Sequence, residues 1–448
     1  MTRIVSISIM LLAAAIGFGQ SESLTFSLTQ AQKYAVSNNL QIKNADLEIQ
    51  EAKKKVWETT AIGLPQLSGS AQYQNFIDIP VQVAPASAFN PAAPAGEFVT
   101  LQFGLNNSLA LGLSASQLLF DGSYFIGLKA AKSYVDMTRH DRHQTENDVR
   151  ENVSSAYYMV IAAHESQKVL KNSLTSFEQL FEETKAVYEQ GLIEVSDVDQ
   201  LELSLNNLRS TYDFATNNLT TAKLLLNFHL GLSPDSEVTL VDGLELLVTS
   251  IDPEIVNAVF DVKENINFQK LETKEELDRL NLKNEQARAL PAVAAFYSFQ
   301  NNKYGNEWDF SDNIADGQWF PTQLVGLQLE MPIFSSGRSG ARRAQAKINL
   351  EQTRNQKEQL KQQLSIGAAS AKSEYKNALA QYENAKKSMM LSLDLYAKAQ
   401  IKFKEGIYTS MELNQSKNQE LNAQQNYIQS IVNVFNKKLA LDKAFNKI

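Results

Sequence analysis

The sequence predicts a mainly α-helical protein with a transmembrane β portion: long antiparallel coiled-coil hairpins plus four β-strands per chain. Three observations lead there. The plan is written twice, each copy passing from a helical segment through Leu-Pro into alternating strands and on into a long helix. Two proline-free stretches, between Pro94 and Pro234 and after Pro332, keep apolar residues at steps of three and four. Four short runs alternate apolar and polar residues with a period of two.

The duplication has a register. Asn39-Leu40 and Leu64-Pro65 recur as Asn265-Ile266 and Leu290-Pro291, a constant offset of 226 (265 − 39 = 291 − 65). Tyr188-Glu189-Gln190-Gly191 recurs as Phe403-Lys404-Glu405-Gly406, offset by 215 (406 − 191). The 11-residue difference (226 − 215) falls between the strands, where loop length varies at least cost. The repeats therefore span 20–234 and 256–448. Residues 235–255, with Asp-Gly and Asp-Pro breaks among short apolar runs, read as the linker.

Residues 1–19 read as a cleaved secretory signal: Arg3, an apolar stretch from Ile4 to Phe18, and a small-residue end at Gly17-Phe18-Gly19. No later stretch approaches the roughly 20 apolar residues of a helical span, so export without a helical anchor is expected. The absence of cysteine excludes a disulfide framework and a lipid-bearing N-terminal Cys. Net charge is −8 with acids and bases interspersed, which argues against a nucleic-acid partner.

The first helical seam runs from Val149 through Tyr157, His164, Leu170 and Phe177 to Tyr188; the second runs from Leu360 through Tyr375 and Tyr382 to Tyr396. His164 is expected to pack within its seam. A helix from about Tyr124 to Tyr188 would be on the order of 100 Å long at 1.5 Å per residue. Glycines 191 and 406 break the two patterns, and Ser196, Asp197 and Ser410 are candidate N-caps for returning helices. The first return should stop at Gly231, with Pro234 barring continuation.

The strands are read over 66–76, over 109–120, from Val293 to Phe299, and from Val325 to Ile333. Each is near the roughly 9 to 11 residues of a tilted membrane-crossing strand, although half of a soluble sandwich has the same pattern. If the strands meet lipid, self-association becomes a physical requirement. Open strand edges are untenable in hydrocarbon, and single-chain barrels begin at about eight strands. Three chains would supply twelve strands; two or four are open by this reasoning. Phe76, Phe98, Phe103, Trp308, Trp319 and Phe320 near the strand ends suit an interfacial girdle, and 80–94 and 301–317 read as exposed loops.

On Ala31-x3-Ala35-x3-Asn39, Leu64-Pro65-Gln66-Leu67, Leu119-Phe120-Asp121-Gly122-Ser123, Pro332-Ile333-Phe334-Ser335-Ser336-Gly337-Arg338 and the two Gly-x5-acidic turns, the chain resembles the TolC-like outer-membrane efflux proteins. The resemblance covers essentially the whole mature length. It implies a homotrimer with a shared 12-stranded barrel in the outer membrane of a Gram-negative bacterium and a helical tunnel across the periplasm. The tunnel would dock onto a periplasmic adaptor and an inner-membrane pump, as a passive exit duct for efflux or type I secretion that performs no chemistry and needs no cofactor. Pro65, Asp121, Gly122, Pro291, Pro332 and Gly337 would turn strand into helix.

The hairpin tips carry the mechanistic expectation. Around the first turn seven acids, Glu182, Glu183, Glu189, Glu194, Asp197, Asp199 and Glu202, face only Lys185. Around the second, Lys398, Lys402, Lys404 and Lys417 outnumber Glu405 and Glu412. Opposite charge at a common constriction would latch a closed state through Glu189 or Glu194 against Lys402 or Lys404; solvated faces are the plain alternative. The resemblance maps the family's acidic ring onto Glu412 and its second acidic position onto Gln415. Ser196 and Asp197 take the first tip's gate positions. The family's gate tyrosine and arginine positions carry Phe403 and Tyr408, so its ionic lock does not transfer intact.

Other sites are bland. His140 and His143, three apart with Asp136 nearby, read as a solvated helix face rather than a metal site. An exported coiled-coil scaffold would explain the rods but not two hairpins of bilayer length. An exported hydrolase lacks any phosphate loop, ligand cluster or Ser-His-Asp set.

Overall fold

The computed structural model describes residues 24–249, 257, 259–306 and 318–447. The signal segment 1–19, Trp308, the rest of 307–317, linker residues 250–255 and residue 256 lie outside the described residues.

Each repeat opens on a helix that breaks and restarts at an asparagine. Strand β1 (Leu24–Phe26) leads into α1 (Leu28–Asn38) and α2 (Leu40–Ile62). Buried Asn39 stands between the two helices, where its Oδ1 accepts from Gln41 N at 2.7 Å. In the second repeat a single 3-10 turn, Val262–Glu264, precedes buried Asn265, whose Oδ1 likewise accepts from Asn267 N at 3.0 Å. The duplicated Asn-apolar pair is thus a helix N-cap used twice.

The strands follow in two pairs. After Pro65 comes β2 (Gln66–Asn75), then β3 (Val81–Pro85), β4 (Phe98–Gln102) and β5 (Asn107–Phe120). From β5 the chain enters α3 (Gly122–Glu189), returns along α4 (Val195–Leu230) and passes through β6 (Val238–Leu240) and α5 (Leu244–Thr249). The second repeat gives α6 (Ile266–Ala287), β7 (Ala292–Gly305), β8 (Trp319–Glu330), α7 (Arg338–Lys404) and α8 (Ser410–Ala444).

Three expectations change. The last strand ends at Glu330 rather than Ile333, because Pro332 has no N–H to continue a ladder. It also starts earlier, at Trp319, and carries Pro321, which a sheet-edge strand tolerates. The third strand runs on through polar Gln300 to Gly305, held by backbone pairing with β5 rather than by an apolar pattern. The segment 80–94 is not all loop: Val81–Pro85 pairs antiparallel with Phe98–Gln102.

Two compact units share the chain, and neither is a sequence repeat. One takes its residues from segments 24–47, 141–269 and 360–447, the other from 48–140 and 270–359. Each repeat therefore gives its strands to one unit and its helix-turn-helix tip to the other.

The helical unit is built on the expected seams. Tyr157, Tyr375, Phe435, Ile431, Leu226 and Leu230 form one buried cluster, with Tyr158 stacked on Phe435 at 4.7 Å between centroids. Leu170, Phe177, Leu201, Leu205, Tyr396 and Leu413 form a second. His164 is exposed, contrary to the expectation, as is Tyr188, since a 3.6-residue period drifts off a strict three-four series. The linker is structured where it is described. Residues 238–240 pair in parallel with 24–26, and Asp242 Oδ2 accepts from Leu28 N at 2.9 Å and lies 2.8 Å from the hydroxyl of fully buried Tyr157. Gly231 ends α4 at φ +79°, and a Cβ there would sit 3.0 Å from Asn38 O, so both conformation and packing require glycine.

In the other unit, Glu275 joins α6 to α7. Its carboxylate receives Lys357 and Arg354 from α7 (Arg354 Nε at 3.3 Å) and Arg279 from its own helix at 3.1 Å. The hydrogen bond from Lys357 leads in holding this carboxyl below its ordinary range, with Arg354 and Arg279 adding to it. A depressed folded-state pKa contributes stability that is present above the unfolded value, near 4.5, and is lost as pH falls through the folded value. Glu275→Gln should cost about 1 kcal/mol at neutral pH, since the arginine partners are half-exposed and screened. The gap between variant and wild type in thermal melts at 222 nm should close as pH drops below about 4.5; a gap that stays constant with pH would contradict this.

Candidate functional site

The four long strands form one antiparallel sheet in the order β2-β5-β7-β8. Register decides which side chains share a face. Leu67, Ala115, Tyr297 and Val325 are cross-strand neighbours, as are Gly69, Leu113, Phe299 and Gln323. Toward the β8 end, Ala295 lies beside Leu327, and Val293 lies between Phe120 and Leu329. The opposite face reads Ser68, Ser114, Ser298, Leu324 in one row and Ser70, Gly112, Gln300, Thr322 in the next. Ser68 and Ser114 share a 2.7 Å hydrogen bond across that face.

The apolar face is uncovered. Leu67, Leu113, Val325, Leu327 and Leu329 are 77, 52, 78, 73 and 67 % exposed. Among the described residues β2 pairs only with β5 and β8 only with β7, so each leaves one edge free. The two edge strands run in opposite directions, because every neighbour in the sheet is antiparallel. On the polar face Gly326 makes room for an aromatic: a Cβ there would meet the Phe296 ring at 2.8 Å. Of the aromatics named for a girdle, Trp319 and Phe320 begin β8 and Phe76 directly follows β2, which register places at one end of the sheet, and Phe98 starts the added β4.

The junctions are small capping devices. Pro65 and Pro291 each precede a strand and sit just past a helix closed by Leu64 N to Ala61 O (3.0 Å) and Leu290 N to Ala287 O (2.9 Å). Asp121 Oδ1 accepts from Ser123 N (2.6 Å), Ser123 Oγ (2.7 Å) and Tyr124 N (3.3 Å), capping α3. Gly122 lets the junctions of the two repeats meet: a Cβ would lie 2.8 Å from Leu290 Cδ1. Pro332 follows β8, and Gly337, at φ +83°, precedes α7.

The two tips close by the same backbone device. Gly191 (φ +75°) donates to Tyr188 O at 2.7 Å while Leu192 N reaches Val187 O at 3.3 Å. Gly406 (φ +72°) donates to Phe403 O at 2.9 Å while Ile407 N reaches Lys402 O at 2.8 Å. Both glycines have open space around them, so the left-handed turn alone calls for glycine.

The caps beyond the turns are not the expected residues. Helix α4 is capped at Glu194, whose side chain accepts from no helix N–H but from Ser196 Oγ at 3.3 Å, and Ser196 and Asp197 lie in its first turn. Helix α8 is capped by Thr409, not Ser410. Thr409 forms a capping box with Glu412, whose Oε2 accepts from Thr409 N at 2.8 Å and from Thr409 Oγ1 at 3.0 Å. That leaves buried Ser410 free to donate to Asp197 Oδ1 at 2.5 Å, where Gln200 Oε1 is 3.2 Å away. This link between the tips was not legible in the sequence, because nothing local pairs position 410 with 197.

Charge at the tips is only partly paired within the chain. Lys404 Nζ lies 3.4 Å from Glu183 Oε2, and Lys402 Nζ lies 4.6 Å above the Tyr408 ring. Among the described residues Glu189 and Glu194 form no salt bridge. Phe403 and Tyr408 pack against the second buried cluster, and Gln415 is exposed. The backbone N–H of Thr409, ahead of its hydroxyl, holds the exposed Glu412 carboxyl below its ordinary range, so it is ionised at neutral pH. Asp136, near His140 and His143, is paired with Arg139 at 2.8 Å.

Because the capping box accepts either Glu or Gln, charge and cap can be separated. Thr409→Ala should lower thermal stability by about 1 kcal/mol and Glu412→Gln by much less; equal losses in urea titrations would refute the assigned role.

The Outer membrane efflux protein family model matches residues 33–232 and 263–447. The chain is 20% identical to Outer membrane protein TolC of Vibrio cholerae over 242 residues, which is 54% of this chain and 54% of that protein, so the match spans about half of the relative's length. Among solved structures, the Campylobacter jejuni CmeC outer membrane channel is similar with a TM-score of 0.67 at 18% identity, covering 94% of this chain and 85% of that one. The open state of the Neisseria gonorrhoeae MtrE outer membrane channel gives 0.69 at 15%, covering 93% and 88%.

Proposed function

Because this chain belongs to the outer membrane efflux protein family, we propose that three copies assemble into an outer-membrane exit duct, each lending four strands to a 12-stranded barrel. The reading rests on the sheet, with its uncovered apolar face and two free edges of opposite direction. An unsatisfied edge is untenable in hydrocarbon, and joining β8 of one copy to β2 of the next keeps the whole ring antiparallel. Duplication supports that junction. Inside the chain, the second strand of repeat one already pairs with the first strand of repeat two, β5 with β7. The contact from β8 to the next copy's β2 would be the same kind of pairing.

In this reading the helical hairpins extend into the periplasm of a Gram-negative bacterium, where an adaptor and an inner-membrane pump deliver cargo for efflux or type I secretion. The duct conducts passively. Three Glu412 carboxylates converge as a ring that favours cations. Ser410 with Asp197 ties the two tips of one chain, and in a closed state Lys402 and Lys404 would exchange their contacts with Tyr408 and Glu183 for Glu189 or Glu194.

Leu327→Arg, on the apolar face, should block membrane insertion and the trimer, at roughly 2–4 kcal/mol per chain for a cation near mid-bilayer. Ser298→Arg, on the polar face, should leave both intact. Crosslinking and membrane fractionation read this, and a wild-type chain that stays a water-soluble monomer would end the proposal in favour of an exported scaffold.

Planar-bilayer recordings test the tips. Glu412→Gln, which preserves the cap, should move the reversal potential toward non-selectivity, and Lys402→Glu with Lys404→Glu should raise single-channel conductance. Values unchanged from wild type would remove the ring and the latch respectively.

A further inference from the structure

Beyond the end of β8 the apolar alternation continues without a strand to carry it. Val325, Leu327 and Leu329 are followed in step by Met331 (49 % exposed) and Ile333 (91 %), and Phe334 beside it is 87 % exposed. Next comes a run of one sign. From Met331 to Leu350 there is no Asp or Glu, while Arg338, Arg342, Arg343 and Lys347 are all exposed on the first turns of α7.

These cations are placed against the helix's own interest. They crowd its N-terminal end, where the macrodipole favours anions. They also make two like-charge pairs four residues apart, 338 with 342 and 343 with 347, which destabilise an isolated helix. Among the described residues none of the four meets a carboxylate; Arg343 donates only to Ser339 O, at 3.3 Å. The carboxylates nearest in sequence, Glu330 and Glu351, lie outside the run, and Glu351 is taken by Arg354 at 2.8 Å. A locally unfavourable, exposed charge cluster that follows directly in sequence on an uncovered apolar strand calls for an anionic partner at the helix end of the sheet.

We propose that residues 331–347 form a lipid-anchoring collar. Ile333 and Phe334 enter the boundary of the hydrocarbon, and Arg338, Arg342, Arg343 and Lys347 bind the phosphates of anionic phospholipid in the leaflet at the helix end of the strands. The order of groups is the order of layers in a bilayer: apolar face, interfacial apolar pair, cations at headgroup level. The inference rests on the reading of the sheet as lipid-facing.

The test uses the full chain in bilayers of phosphatidylcholine, alone or mixed with phosphatidylglycerol, with retained lipid measured by native mass spectrometry after detergent extraction. Wild type should retain phosphatidylglycerol over phosphatidylcholine, less so at high salt. Replacing all four cations by Gln should reduce that preference about tenfold or more, since each cation near an anionic surface contributes about fivefold. Arg338→Lys, Arg342→Lys and Arg343→Lys together should keep most of it, which controls for a Gln variant that fails to fold. No preference in wild type, no effect of salt, or retention of an acidic protein in place of lipid would overturn the collar. A wild type that conducts in both bilayers without lipid preference sinks only this inference; one that neither assembles nor conducts sinks the lipid-facing sheet as well.

Discussion

A strand edge carries a row of N–H and C=O groups that must be paired or wetted, and the four-stranded sheet has two such edges beside a face that rejects water. Most other features make sense as consequences. Alternation along β2, β5, β7 and β8 places most of the leucine, valine and alanine on one side and the serines on the other, and register carries that division across the four strands with exceptions such as Gln323 on the first face and Leu324 and Phe296 on the second. In the proposed duct, completion by identical neighbours would answer the same backbone requirement that pairs β5 with β7 inside the chain.

The helical parts are governed by the cost of ending a helix. Each repeat uses its duplicated local motifs there: asparagine restarts the helix at 39 and 265, Leu-Pro closes it at 64–65 and 290–291, and glycine turns it at 191 and 406. The repeats diverge where the tips differ in chemistry. The second has a full capping box at Thr409 and Glu412, whereas the first begins at Glu194 without a side-chain cap and carries most of the acids. An acidic first turn is compatible with a helix N-terminus, so that asymmetry is inexpensive locally.

Much of this was legible because it is local. A period of two or of three to four, a proline, or a glycine needing positive φ acts through neighbouring residues, and the strands, long helices and turns follow from them. What misled was also local in appearance. Alternation through Met331 and Ile333 suggested a longer strand, but Pro332 withholds the N–H that pairing needs, and the leftover apolar residues stand exposed. Ser410 looked like a cap, yet Thr409 satisfies the helix end and frees Ser410 for Asp197. His164 fell on the seam by count and on the surface by angle.

By itself the sequence determined the repeated plan, the two-faced strands and the placement of turns, since periodicity and backbone restriction are properties of short stretches. Tertiary structure alone decided that β5 meets β7, that 81–85 pairs with 98–102, that Asp242 reaches Tyr157, and that Glu275 gathers three cations. These contacts join residues far apart in the chain. Their partners are selected by which surfaces the fold brings together, a quantity that no window of neighbouring residues contains.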